Sequence, residues 1–118
     1  MAKLKGSVEL SEHQEQCLLI DWMELQHPSV RLFAVPNGSY KGIQARVKAK
    51  KEGLRSGVPD LMIPAWKLFI EMKKKKGGRL SENQKDWAEY LESVGYTVIV
   101  GHGFSDVKIK IAEFLDSL

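Results

Sequence analysis

The chain has a single cysteine, Cys17, among 118 residues. That excludes an internal disulfide framework and any cysteine-based zinc cluster. Cys17 sits in the apolar run "QCLLIDW", and a free cysteine in such a setting is expected to be a small buried hydrophobe. No stretch reaches the ~18 apolar residues a membrane-spanning helix requires. The N-terminal "MAKLKGSVELSEHQ" lacks the apolar core of a signal peptide. A reducing, cytoplasmic setting without a membrane partner is the expectation. Repeats and low-complexity linkers are also lacking.

Acids are scarce in two places. Between Lys41 and Arg55 six basic residues face only Glu52, and Lys73 to Arg79 adds five more with no acid. The net charge is only +3, so the clustering carries the information. Two basic clusters on a small domain point to a polyanion, nucleic acid first; a solvated lysine-rich surface is the plain alternative. With 43% apolar and 28% charged residues the composition is globular, and the length allows one domain. Residues 1–10 are expected to be a loose arm and 11–118 the domain.

The spacing predicts eight elements. Ser11–His27 reads as a helix, with Ser11 and Gln14 forming a capping box and Leu18, Leu19, Trp22, Met23 and Leu25 an apolar face. Val30–Val35 reads as a strand, closed by the turn Pro36-Asn37-Gly38. Lys41–Gly53 reads as a basic helix. Pro59–Pro64 and Lys67–Lys73 read as two strands of a hairpin turning at Ala65-Trp66. Leu80–Gly95 is a helix with a second capping box, Ser81 with Gln84. Tyr96–Gly101 reads as a strand and Phe104–Leu118 as an amphipathic helix. The order α-β-α-β-β-α-β-α fits an α/β fold, a central mixed sheet flanked by helices. A crossover through the Leu80–Gly95 helix makes the last strand parallel to a neighbour.

The hairpin carries the chemistry. Opposed residues of an antiparallel pair keep a constant index sum, so a turn at Ala65-Trp66 sets Asp60 opposite Glu71. Lys73 falls on the same face, while Leu68, Ile70 and Met72 take the other. Two opposed carboxylates repel each other. A divalent cation reverses that, and oxygen donors suit Mg²⁺ or Mn²⁺ better than Zn²⁺. A cation there can bind a phosphoryl oxygen and acidify a water, with Lys73 neutralising developing charge. An ordinary solvated strand face is the alternative.

These residues resemble a known signature. Pro59-Asp60 followed by Glu71-Met72-Lys73 looks like the PD-(D/E)xK nuclease motif. The wider set "SEHQEQ", "VPNG", "GVPDL", "FIEMK" and "LSENQ", in that order from Ser11 to Gly103, resembles the VRR-NUC (virus-type replication-repair nuclease) family. The resemblance implies a restriction-endonuclease-like core and a Mg²⁺- or Mn²⁺-dependent DNA endonuclease. It further implies a homodimer acting on branched DNA such as four-way junctions, as small phage and prophage members in bacterial hosts do. Carried over, Asp60 and Glu71 are metal ligands and Lys73 the catalytic lysine. The first-helix acid falls on Glu12, with Glu15 as second choice; either acid also complements the helix dipole. Gln84 matches the helix-start glutamine and equally closes its capping box.

Candidate DNA contacts are Lys41, Arg46, Lys48, Lys50, Lys51 and Arg55, the lysines Lys74, Lys75 and Lys76, and Asn37, which is otherwise a plain turn residue. No base-reading motif stands out, so selection by shape is expected over selection by sequence. His13, His27 and His102 lack ligand spacing. A dimer finds its hint in abundant apolar helix surface at Trp22, Met23, Trp87, Phe114 and Leu115. The rival to an enzyme is a non-catalytic module that binds DNA shape.

Overall fold

Each predicted element appears, in the predicted order, in the computed structural model, which describes residues 9–36 and 41–118. The elements are α1 (Glu12–Gln26), β1 (Phe33–Ala34), α2 (Ile43–Lys51), β2 (Leu61–Ile63), β3 (Leu68–Lys73), α3 (Glu82–Ser93), β4 (Thr97–His102) and α4 (Phe104–Asp116). Both capping boxes form. The Ser11 and Ser81 hydroxyls accept the N–H of Gln14 and Gln84, and each glutamine side chain returns a bond to its cap backbone. These bonds satisfy amides that a helix start leaves without partners.

The sheet runs β1-β2-β3-β4. Leu61, Met62 and Ile63 lie opposite Ile70, Phe69 and Leu68, the register read from the sequence. The link is a 3₁₀ turn, Pro64–Trp66, followed by Lys67 in the left-handed region. β1 is shorter than expected and adds antiparallel to β2. The crossover through α3 lays β4 parallel to β3, with Lys73 beside His102. No helix among the described residues is long and apolar enough to cross a membrane.

The core fills one side of the sheet. Leu61, Ile63, Leu68, Ile70, Met72 and Ile99 pack with Leu19 and Met23 of α1 and Val107 and Ile111 of α4. The other side is thinner. Phe69 meets Tyr96 edge-on at 5.4 Å, and α3 contributes Leu91 and half-buried Trp87.

Three expectations about α1 and its neighbours are corrected. The buried residues of α1 are Glu15, Leu19 and Met23, one per turn. Cys17 is two residues from both Glu15 and Leu19, about 200° round the helix, so it is exposed, with Sγ 3.6 Å from His13 Nε2. Leu18 and Leu25 are likewise exposed. The apolar surplus that hinted at a dimer is largely used within the chain. Met23 is fully buried, and Trp22, Phe114 and Leu115 pack against the core. The His27 ring sits edge-on to Trp22 and Trp66, and Trp66 reaches Phe114.

Candidate active site

Glu71 lies near the end of β3 and is 3% exposed, an unusual burial for a carboxylate. The hairpin register continued by one residue sets Asp60 across from it. Asp60 is held from two directions: its carbonyl accepts the Val35 N–H at 2.8 Å, and its Oδ2 accepts the Met72 N–H at 2.8 Å. Lys73, on the Glu71 face, donates from Nζ to Gln84 Oε1 at 2.9 Å. Gln84 Nε2 donates to Glu71 Oε2 at 3.1 Å, and the Ser81 N–H donates to Gln84 Oε1 at 2.8 Å. One amide therefore closes the α3 cap and bridges the lysine to the glutamate. Gln84 closes its capping box as expected, and the same amide is hydrogen-bonded to Lys73 and Glu71.

Glu71 Oε1 is buried without a hydrogen-bond partner. Burial, foremost, pushes the Glu71 carboxyl from 4.5 up to about 8. The Asp60 charge and a bond with Asp60 push the same way, Lys73 pulls it down, and Glu12 adds a smaller upward push. Such a pair can share a proton or hold a cation. An orphaned buried oxygen beside a second carboxylate fits a hard divalent ion. Among the described residues no three side chains of His, Cys, Asp or Glu cluster as a ligand set. A cation here would take Asp60 and Glu71 and complete its shell with water and substrate oxygens.

The two first-helix acids have different surroundings. Glu15 is buried, and its Oε1 accepts the Phe104 N–H at 2.7 Å, at the start of α4. It thus complements that helix's positive end. Glu12 is exposed in the first turn of α1, and its charge is felt at Glu71. Glu15→Ala is expected to lower stability by about 1–3 kcal/mol, leaving a buried donor unpaired. Glu12→Gln is expected to leave stability within about 0.5 kcal/mol and to lower DNA cleavage. Thermal melts and cleavage assays on both variants check this, and the reverse pattern would make Glu15 the site acid.

Sequence reasoning gave Gln16 no role. It lines a recess of about 330 Å³ with Asp60, Ala34, Val35 and Pro36. Its place four residues after Glu12, on the same helix face, is the spacing by which the resemblance assigns the first-helix acid to Glu12. His102, beside Lys73 in the parallel pair, has Nδ1 3.2 Å from the Lys74 carbonyl and steadies the start of the lysine run. The His102 backbone N–H donates to Asp106 Oδ2 at 2.8 Å. That bond, with the Lys110 ammonium, holds the Asp106 carboxyl below its usual range.

Lys41, Arg46, Lys48, Lys50, Lys51, Arg55 and Lys74 to Lys76 are all exposed. Arg55 folds back, donating from Nη1 to the Lys50 and Leu54 carbonyls at 3.0 Å, so it caps α2 as well as offering charge. Asn37 lies outside the described residues.

The loop before Asp60 is wedged against α3. Gly57 has φ +97°, and a Cβ there would come within 2.6 Å of the Asn83 backbone. Asn83 Nδ2 also donates to Ser56 Oγ at 3.2 Å. Gly57→Ala is expected to displace Gln84 and Asp60 together and to slow cleavage by about 10²-fold, the scale of a 1 Å misplacement. Single-turnover rates test it; an unchanged rate would show that the loop gives way without moving the site.

The VRR-NUC domain model matches residues 7–105. A solved structure described as a VRR_NUC domain protein superposes with a TM-score of 0.77 at 27% identity, over 93% of this chain and 92% of that one. No curated protein matches. The α/β fold with its mixed four-stranded sheet, the carboxylate pair on the hairpin and the family match agree on a nuclease-type, DNA-processing domain, and the chain belongs to the VRR-NUC family.

Proposed function

We propose that the chain is a Mg²⁺- or Mn²⁺-dependent endonuclease that hydrolyses phosphodiester bonds in branched DNA and works as a homodimer. The observation that carries this reading is the convergence of Asp60 and buried Glu71, one oxygen of which has no partner, beside a lysine braced by Gln84. When bound, a divalent cation would supply Lewis acidity and acidify a water. Asp60 and Glu71 would hold it, and the Glu12 charge acts on Glu71. Gln84 keeps the Lys73 ammonium on the Glu71 face, where it neutralises charge on the phosphate or orients the attacking water. The exposed lysines and arginines neutralise phosphates, which gives affinity without sequence information. A four-way junction has two-fold symmetry, so paired cuts suit a C₂ dimer. The place of action in this reading is the cytoplasm of a bacterial host, as the resemblance to small phage and prophage proteins implies.

The test is cleavage of labelled four-way junctions, flaps and linear duplex by wild type, Asp60→Ala and Lys73→Ala. Mg²⁺- or Mn²⁺-dependent cutting of branched substrates that both variants lose is expected. Equal cutting by wild type and variants would remove the reading. Binding that survives EDTA and Asp60→Ala, with no cutting and no thermal shift from Mn²⁺, would favour a non-catalytic shape-binding module. Sedimentation showing only a monomer at micromolar concentration would remove the dimer.

A further inference from the structure

Helix α2 exposes two large apolar side chains among its cations. Its one buried residue is Ala49, yet Ile43 is 72% and Val47 48% exposed. Ile43 and Val47 are four residues apart and so lie about 40° apart around the helix, while Ala49 lies about 200° beyond Val47. The two side chains form a ridge pointing away from the body, with Arg46 and Lys50 on one flank and Lys51 on the other. A surface helix ordinarily shows the opposite arrangement. The inner side of α2 shares a recess with Val58, Phe69 and Trp87. Phe69 is two residues before Glu71 on the same sheet face, so the ridge stands over the side of the sheet that carries the candidate site.

We infer that this ridge is a wedge for the branch point of DNA, with Ile43 and Val47 lodging against unstacked bases while the flanking cations hold the adjoining phosphates. The inference rests on the DNA reading above and names the feature of the substrate that is recognised. Charge decides the occupant. α2 carries no acid, so a second copy of the helix would bring like charge within a Debye length of about 8–10 Å. A polyanion with exposed apolar faces complements both features. Apolar side chains inserted between stacked base pairs must first unstack them, at a few kcal/mol per step. At a branch point stacking is already interrupted, and that difference selects branched over linear DNA without reading sequence.

The test uses the whole chain in EDTA. A four-way junction and a linear duplex of the same sequence each carry 2-aminopurine, at the branch or mid-duplex. Wild type should raise the branch fluorescence and bind the junction more tightly than the duplex. Ile43→Ser/Val47→Ser should lose the fluorescence rise and shrink that preference about tenfold or more, the scale of burying one such side chain. A variant that keeps both signals overturns the inference. So does a variant that sediments differently from wild type, since the ridge would then join copies of the chain. A wild type that lights the branch but never cuts with Mn²⁺ supports the wedge and sinks the catalytic reading. Failure to bind DNA at low salt sinks both.

Discussion

Glu71→Gln is expected to abolish cleavage and, in the metal-free protein, to make the fold more stable at alkaline pH. Both effects come from one buried carboxylate. The folded chain keeps the Glu71 proton up to about pH 8, whereas the unfolded carboxyl releases it near 4.5. Between those values the folded state binds more protons than the unfolded state, so stability falls as pH rises. The contribution is full below about pH 4.5 and gone above about 8. Glutamine has no proton to lose and no charge to bury, so its melting temperature should stay level where that of wild type declines. Cleavage should drop by roughly 10³-fold or more, since a bound cation contributes several kcal/mol and about 1.4 kcal/mol is a factor of ten. A cation must displace the Glu71 proton. Mn²⁺ should therefore raise the wild-type melting temperature more at pH 8 than at pH 6, and leave Glu71→Gln unmoved. A wild-type profile in EDTA that is flat from about pH 5 to about pH 9, or a glutamine variant that still cuts, would contradict this account.

Gly101→Ala should cost stability for a purely steric reason. The backbone of Gly101 is ordinary strand, yet a Cβ there would lie 2.1 Å from Val107 Cγ2 and 3.2 Å from Val107 Cα. Val107 is fully buried between α4 and the sheet, so relief requires lifting the helix. Overpacking of this kind costs about 1–3 kcal/mol, or about 5–15 °C in melting temperature for a chain of this size. The site should feel it too, because the Gly103 N–H donates to the Lys73 carbonyl at 2.9 Å and α4 starts at the next residue. Gly101→Ala/Val107→Ala should be less destabilised than the sum of its single variants, with a coupling of about 1 kcal/mol or more. Simple additivity would rule out the clash.

The capping boxes at Ser11 and Ser81 were legible because they depend on residues three apart. The approach of Asp60 to Glu71 was legible because a tight hairpin has one register. Cys17, Leu18 and Leu25 were misplaced because which stripe of α1 faces inward depends on where the sheet and α4 lie. The pairing of Glu15 with Phe104 spans 89 positions, and no local pattern announces it. The cap made by Gln84 was legible locally, whereas its bonds to Lys73 and Glu71 depend on α3 meeting β3.

By itself, then, the sequence determined the elements, their order, the hairpin register and the carboxylate pair with its lysine, all products of short-range geometry. Only the tertiary structure decided that Glu71 would be buried with an oxygen unpaired, that Glu15 would cap α4 while Glu12 stayed exposed, and that α2 would turn its apolar ridge outward. The reason is physical: hydrogen bonds and side-chain alternation act over a few residues, whereas burial and its electrostatic consequences depend on which distant surfaces exclude water.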